Sequence, residues 1–286
     1  MSDGSNGFPT RPLGSTGEEV TIIGVGGHHI GRGTVELGVR IIRSALDEGV
    51  TFLDNAWCYH DGRSEEIMGQ ALRDGYRDRA FLMTKNHGRD AATFRRQLDE
   101  SLRRLDTDHI DLLQFHEIIH EGEPQRIYAE GALEEAVKAR DEGKIRFIGF
   151  TGHRWPKLFR EMLAGDFDWD TVQMPINLLD YYYRSFAQEI MPMLVERGIG
   201  VIGMKSLGGG DAPILGIGVT PQEAISYALS QPVHTVVSGI DSMQVLEQNL
   251  DIVRNWMPLD DDAQATLLGR VAEQAADGHL EHYKGA

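Results

Sequence analysis

Short apolar runs alternating with amphipathic stretches, eight times over, predict an α/β chain folded as a (β/α)8 barrel of the TIM type. Two further observations agree with this. No composition shift or Pro/Ser-rich linker interrupts residues 10–276, and 286 residues suit a single barrel of about 250 residues. One domain over 10–276 follows, with 1–9 and 277–286 as mobile tails.

Residues 11–20 come first, with Gly14-Ser15-Thr16-Gly17 between short extended pieces, and predict a hairpin at the barrel floor. Strands are expected at 21–25, 50–54, 80–84, 110–115, 145–151, 171–174, 200–204 and 235–238. Several are nearly unbroken apolar runs, as strands buried on both faces of a parallel sheet require. Helical patterns fill the gaps at 35–47, 64–72, 130–142, 155–164, 186–197, 220–230 and 242–255. The clearest puts Phe94, Leu98, Leu102 and Leu105 on one face, with Arg95, Arg96 and Glu100 turned away. Charged last turns followed by Gly49, Gly143 or Gly198 and then a strand give three of these helices a left-handed cap. Residues 260–276 predict one extra helix outside the barrel, and 117–129 a loop of about a dozen residues.

Hydrophobic content is 41%, and no apolar run approaches the roughly 20 residues of a membrane span. Forty-four acidic residues against 28 basic ones give a net charge of −16, which argues against nucleic acid and anionic membrane as partners. The start lacks the pattern of a secretion signal and Cys58 has no second cysteine to pair with, so a cytoplasmic location is expected. A surface of this charge is compatible with a monomer or a homo-oligomer.

Four residues gather at predicted strand ends: Asp54 and Tyr59 in Phe52-Leu53-Asp54-Asn55-Ala56-Trp57-Cys58-Tyr59, Lys85 in Met83-Thr84-Lys85, and His116 after Gln114-Phe115. In a barrel these converge on the mouth. A phenol is a poor acid at neutral pH unless something stabilises its anion. An ammonium about 4 Å away, at an effective dielectric of about 20, does so by roughly 4 kcal/mol, which would poise Tyr59 near neutrality. Asp54 would hold Lys85 charged and weaken that effect, and His116 would donate to an oxygen gaining negative charge. Such a set moves a proton onto a carbonyl oxygen but supplies no electrons, which points to a hydride from a nicotinamide.

With Leu13-Gly14-Ser15-Thr16-Gly17 and Asp108-His109-Ile110-Asp111-Leu112-Leu113 beside this tetrad, the chain resembles the aldo-keto reductases from residue 11 to residues 248–249. The resemblance implies an oxidoreductase that reduces small aldehydes or ketones with NADPH, NADH remaining open, by metal-free hydride transfer. Its Asp, Tyr, Lys and His fall on Asp54, Tyr59, Lys85 and His116. It assigns Gln173 to the nicotinamide carboxamide, with Thr151 able to stand in for the family serine, while the role of the asparagine that usually follows is open or falls to His153. Met204 replaces the tyrosine that stacks on the ring. Lys205, Ser206, Leu207 and Gly208 begin a glycine-rich turn suited to pyrophosphate. Gly239, Gln244, Gln248 and Asn249 are expected around the adenosine half. That stretch carries no Arg or Lys for a 2′-phosphate, and Asp241 could accept from a ribose hydroxyl.

His28, His29 and Trp57 are expected to border an open, permissive substrate pocket. Eleven histidines invite a metal reading, but no HxH or HExxH spacing occurs and none is assigned. Cys58 reads as a small filler beside Tyr59. Two other readings stay open: a cofactor-binding regulatory or sensor subunit with little turnover, and a metal-dependent barrel hydrolase.

Overall fold

The computed structural model describes residues 7–285. Strands β1 (Thr10–Pro12) and β2 (Glu19–Thr21) form an antiparallel hairpin. Eight parallel strands then close a barrel in the order β10-β3-β4-β5-β6-β7-β8-β9. They are β3 (Ile23–Gly26), β4 (Phe52–Asp54), β5 (Phe81–Asn86), β6 (Ile110–Phe115), β7 (Ile145–Thr151), β8 (Thr171–Pro175), β9 (Gly200–Met204) and β10 (Thr235–Gly239). The predicted barrel and hairpin are both present. Strands β6, β7 and β9 start and stop where the apolar runs do, because every residue of β6 is buried and the runs end in turn residues.

The helices are α1 (Gly27–Ile30), α2 (Val35–Asp47), α3 (Arg63–Ala71), α4 (Ala91–Leu105), α5 (Glu123–Ala129), α6 (Ala132–Asp141), α7 (Pro156–Ala164), α8 (Phe186–Glu189) and α9 (Met191–Glu196). After them come α10 (Pro213–Gly216), α11 (Pro221–Ser230), α12 (Met243–Arg254) and the outer α13 (Asp261–Ala275). Side-chain caps set several starts: Thr34 accepts from Leu37 N, Asp90 from Thr93 N, and Thr220 forms a reciprocal box with Glu223.

Three expectations are corrected. The helix expected at 186–197 is broken between α8 and α9, where Pro192 brings no N–H to the ladder. The loop expected at 117–129 contains α5, whose Glu123 accepts from Ile119 N and His120 N at 2.8 Å. The tail expected at 277–286 is packed as far as Gly285, with Glu281 and Lys284 wholly buried. Of the N-terminal tail, residues 1–6 lie outside the described residues, and Phe8 belongs to the core.

The hairpin plugs the barrel from below. Leu13 and Val20 pack with Phe52, Phe81, Met83, Leu112 and Ile202, and the Phe52 and Phe81 rings stack at 5.4 Å. Gly14 permits this approach. Its φ is +54°, and a Cβ there would stand 2.4 Å from Gly200 N. The interior below the mouth is therefore solid, which confines chemistry to the opposite rim.

Leu13→Ala opens a cavity between hairpin and barrel that neither can collapse to fill. A loss of about 2–5 kcal/mol is expected in urea denaturation, and a loss below about 1 kcal/mol would show that the floor is not a packed plug.

Candidate active site

Every barrel strand end contributes to a single cleft of about 300 Å3, through Gly26, Asp54, Lys85, His116, Thr151, Gln173, Met204 and, from β10, Val237, Ser238 and Gly239. All but His116 lie within a strand's last three residues, and His116 directly follows its strand. Tyr59, His28, His29, Glu117, His153, Lys205, Ser206 and Leu207 complete most of the wall.

Lys85 is 1% exposed and Asp54 is 2% exposed. The ammonium donates to both carboxylate oxygens and to Asn55 O, each at 2.7 Å. Gln173 Nε2 donates to Asp54 Oδ2 at 2.8 Å, which closes the polar network beneath the cleft. Lys85 Nζ also lies 5.1 Å from the centroid of the Tyr59 ring. This geometry corrects the expectation that Lys85 poises the phenol near neutrality. All the ammonium's strong contacts go to Asp54 and Asn55. Burial pushes the Tyr59 phenol well above its ordinary value, and Asp54, Cys58 and Glu117 push it further. His116 is driven the other way, well below the usual imidazole range, by burial first and then by Lys85 and neighbouring histidines. Phenol and imidazole thus face the cleft as neutral hydrogen-bonding groups, their rings edge to face at 5.5 Å.

Thr151, Met204, Lys205, Ser206, Leu207 and Gly239 line the cleft as expected, whereas Gly208 does not, and Gly209 and Gly210 take its place. Asn249 is buried and donates to Ser238 Oγ at 2.9 Å, so it acts on the cleft wall from behind. Gln244 and Gln248 are exposed on α12 and are not brought into that wall. Trp57 is turned away from the cleft. Its indole N–H donates to Glu100 Oε2 at 2.6 Å, and the Arg96 and Arg104 guanidiniums flank its ring at 5.7 and 5.6 Å. The expected substrate wall keeps His28, whose ring meets Tyr59 at 5.2 Å, and His29. Cys58 Sγ lies 3.5 Å from His116 Nδ1, and burial pushes its thiol up to about 11.

Two buried features suit a nicotinamide nucleotide. Gln173 Oε1 is buried without a partner, and an amide N–H2 at the mouth would satisfy it. Lys205 makes no ion pair among the described residues, and burial lowers its pKa, so a phosphate would both neutralise and pair it. Gly239 adds shape, since a Cβ there would fall 2.3 Å from His29 Nδ1. Glu117 and Lys205 both hold left-handed backbone, at φ +52° and +58°, a strained conformation that clusters at working sites.

The residues that sequence reasoning missed come mostly from the C-terminal segment. His153 Nδ1 lies 2.8 Å from Tyr283 O and its Nε2 lies 3.1 Å from Glu117 Oε1. That contact with His153 leads the influences holding the Glu117 carboxyl at about 2. Asn177 Nδ2 donates at 3.1 Å to both Tyr283 Oη and Lys205 O. Behind these, Lys284 Nζ sits 2.7 Å from Asp180 Oδ1 and 3.0 Å from Glu281 Oε1, all three wholly buried. No motif marks residues 281–284. Glu117 was the legible one, an acid directly after His116.

A closed (β/α)8 barrel with a polar cleft at its carboxyl rim is the architecture of an enzyme class, and comparison with known proteins narrows it to a family. Residues 22–212 match the aldo/keto reductase family model, and the chain belongs to that family. The chain is 32% identical over 205 residues to the aldo-keto reductase YhdN of Bacillus subtilis, covering 65% of this chain and 58% of YhdN. It is 30% identical over 210 residues to the L-galactose dehydrogenase of Arabidopsis thaliana, covering 69% of this chain and 65% of that one. The match therefore spans less than two thirds of each of these relatives. In fold, it superimposes with a TM-score of 0.77 on the holo form of aldo-keto reductase AKR11C1 from Bacillus halodurans, at 23% identity over 92% of this chain and 96% of that one. An aldo/keto reductase from Klebsiella pneumoniae in complex with NADP and acetate gives 0.74, at 23% identity over 93% and 95%.

The buried Asp180, Glu281 and Lys284 carry one more acid than base. Burial pushes Glu281 up to about 7, and its Oε2 has no donor, as befits the oxygen that holds the proton. A carboxyl whose folded pKa is raised lends stability below its unfolded pKa and loses it as pH climbs through the folded one. Backbone amides at 280–285 should therefore lose hydrogen-exchange protection between about pH 5 and 8, with Glu281→Gln weakening the dependence and the part due to Asp180, also raised by burial, remaining. Protection that rises over that window would overturn the assignment.

Proposed function

We propose that the protein reduces aldehydes and ketones to alcohols with NADPH, on the tetrad Asp54, Tyr59, Lys85 and His116. The observation that carries this reading is the junction at the rim. A buried ion pair lies beneath a neutral phenol and a neutral imidazole, next to an unpartnered Gln173 oxygen that awaits an amide.

When bound, the nicotinamide supplies a hydride to the carbonyl carbon. Everything else falls to the chain. Tyr59 keeps its proton because its anion is disfavoured, and it transfers that proton as the carbonyl oxygen becomes an alkoxide, a stronger base than the phenolate. Lys85, across the ring, stabilises the phenolate left behind, while Asp54 fixes Lys85 in place. His116 donates an N–H to the same oxygen and orients the substrate. Gln173 and Thr151 would hold the carboxamide and Met204 would cover the ring. Lys205, Ser206, Leu207, Gly209 and Gly210 would take the pyrophosphate, with Gly239 toward the adenosine and Asn249 holding Ser238 behind it. The Klebsiella relative's complex with NADP supports the phosphorylated nucleotide, and the uncompensated Lys205 supports an anionic group at that wall. With Trp57 turned away, His28 and His29 face the substrate, which favours small polar carbonyl compounds over flat apolar ones.

NADPH and NADH consumption with a reactive aromatic aldehyde tests the reading directly. Tyr59→Phe should lower kcat by about 10^2–10^4-fold while NADPH still binds. Bound NADPH with no turnover in the wild type would instead favour a sensor or regulatory subunit. Because neither Tyr59 nor His116 titrates near neutrality, kcat should stay nearly flat from about pH 7 to 9. A Tyr59-dependent inflection inside that window would contradict the raised phenol.

A further inference from the structure

We propose that Cys58, His87 and His116 form a binding site for a thiophilic divalent cation such as zinc, at the edge of the cleft. Cys58 Sγ lies 3.5 Å from His116 Nδ1 and 3.2 Å from His87 Nε2, and all three atoms fall within 4.8 Å of one another. Zinc–sulfur bonds of about 2.3 Å and zinc–nitrogen bonds of about 2.0 Å, at tetrahedral angles, separate S from N by about 3.5 Å. Both sulfur–nitrogen separations therefore already match those of a tetrahedral ion within a few tenths of an ångström, and the two imidazole nitrogens lie within 4.8 Å of each other.

The residues reach this point from three neighbouring strand ends, after β4, β5 and β6, which is why no local spacing betrays them. One thiol and two imidazoles select zinc-like ions over magnesium or calcium. The thiol would lose its proton to solvent as the sulfur–metal bond forms, with no change of oxidation state. Two nearby cations do not oppose the ion strongly. Lys85 is paired with Asp54, and Arg89 with Glu123 at 3.0 Å. Glu117 Oε2, 3.7 Å from His87 Nε2, or a water can fill the fourth position, and the His87 side chain is 29% exposed, which gives the ion an entry path.

Occupancy has a functional consequence that rests on the proposed reductase reading. Coordination at Nδ1 leaves His116 its Nε2–H but pins the imidazole toward the ion and adds positive charge beside the cleft, so the bound cation slows carbonyl reduction reversibly. Binding itself does not depend on that reading.

The test titrates the full-length protein with Co2+, which reports a bound thiolate through near-ultraviolet charge transfer and tetrahedral geometry through strong visible bands. One equivalent should bind and be displaced by Zn2+. Cys58→Ser should abolish the charge-transfer band, and His87→Ala should weaken binding by more than about 100-fold, beyond the 10–100-fold that loss of an outer partner costs. Matching far-ultraviolet circular dichroism establishes that both variants are folded. A wild-type protein without the thiolate band, or a band that persists in Cys58→Ser, overturns the site. In turnover assays Zn2+ should inhibit the wild type, with reversal by a chelator, and Cys58→Ser should need at least about 10-fold more Zn2+. An active enzyme lacking the band sinks the metal site alone. A protein that shows the band but reduces no aldehyde sinks the reductase reading and leaves the site standing.

Discussion

A buried ammonium is tolerated only if its partner is buried with it, and Lys85 with Asp54 is the constraint around which this rim is built. Lys85 donates twice to Asp54 and once to Asn55 O, so β4 and β5 are tied at the height where chemistry takes place. Gln173 reaches across the barrel from β8 to the same carboxylate, joining opposite walls through one charge. Removing either partner would leave an uncompensated charge beneath the cleft. Such a pair adds little net stability over apolar packing, but it keeps a positive charge directly beneath the cleft.

The second organising charge is Glu117, held ionised by its contact with His153. Its left-handed backbone costs energy, and that conformation aims the carboxylate back over the rim. His153 then needs a second partner, which the C-terminal segment supplies as Tyr283 O. The same Tyr283 ring lies under Lys205 at 5.3 Å, so the tail supports an acidic and a basic wall together. Asp180, Glu281 and Lys284 anchor that tail at the cost of burying three ionisable groups.

What could be read from the sequence was whatever local pattern determines. The barrel strands announce themselves because a strand buried on both faces must be apolar throughout, and polar residues such as Asp54, Lys85 and His116 stand out against such runs. Their convergence follows from topology alone. Trp57 was misplaced because the direction of a loop side chain depends on Glu100, Arg96 and Arg104 of α4, some forty residues on. The phenol was misjudged for a related reason. Spacing brings Lys85 near Tyr59 but cannot show that its hydrogens are already committed to Asp54 and Asn55. The tail was illegible because Tyr283 and Lys284 act through partners a hundred or more residues earlier.

The balance of charge makes the same point at the scale of the whole molecule. A net charge of −16 would repel an anionic nucleotide, yet the cleft holds Lys205, which makes no ion pair among the described residues, beside glycines in its wall. The attraction has to be local, because ionic strength screens the repulsion of distant surface acids over about 8–10 Å while a half-buried ammonium keeps its field. An acidic exterior and an anion-seeking mouth are therefore compatible, provided that the mouth is walled from the surface charge. Tyr283, Asn177 and the packed tail stand behind Lys205 and form that wall.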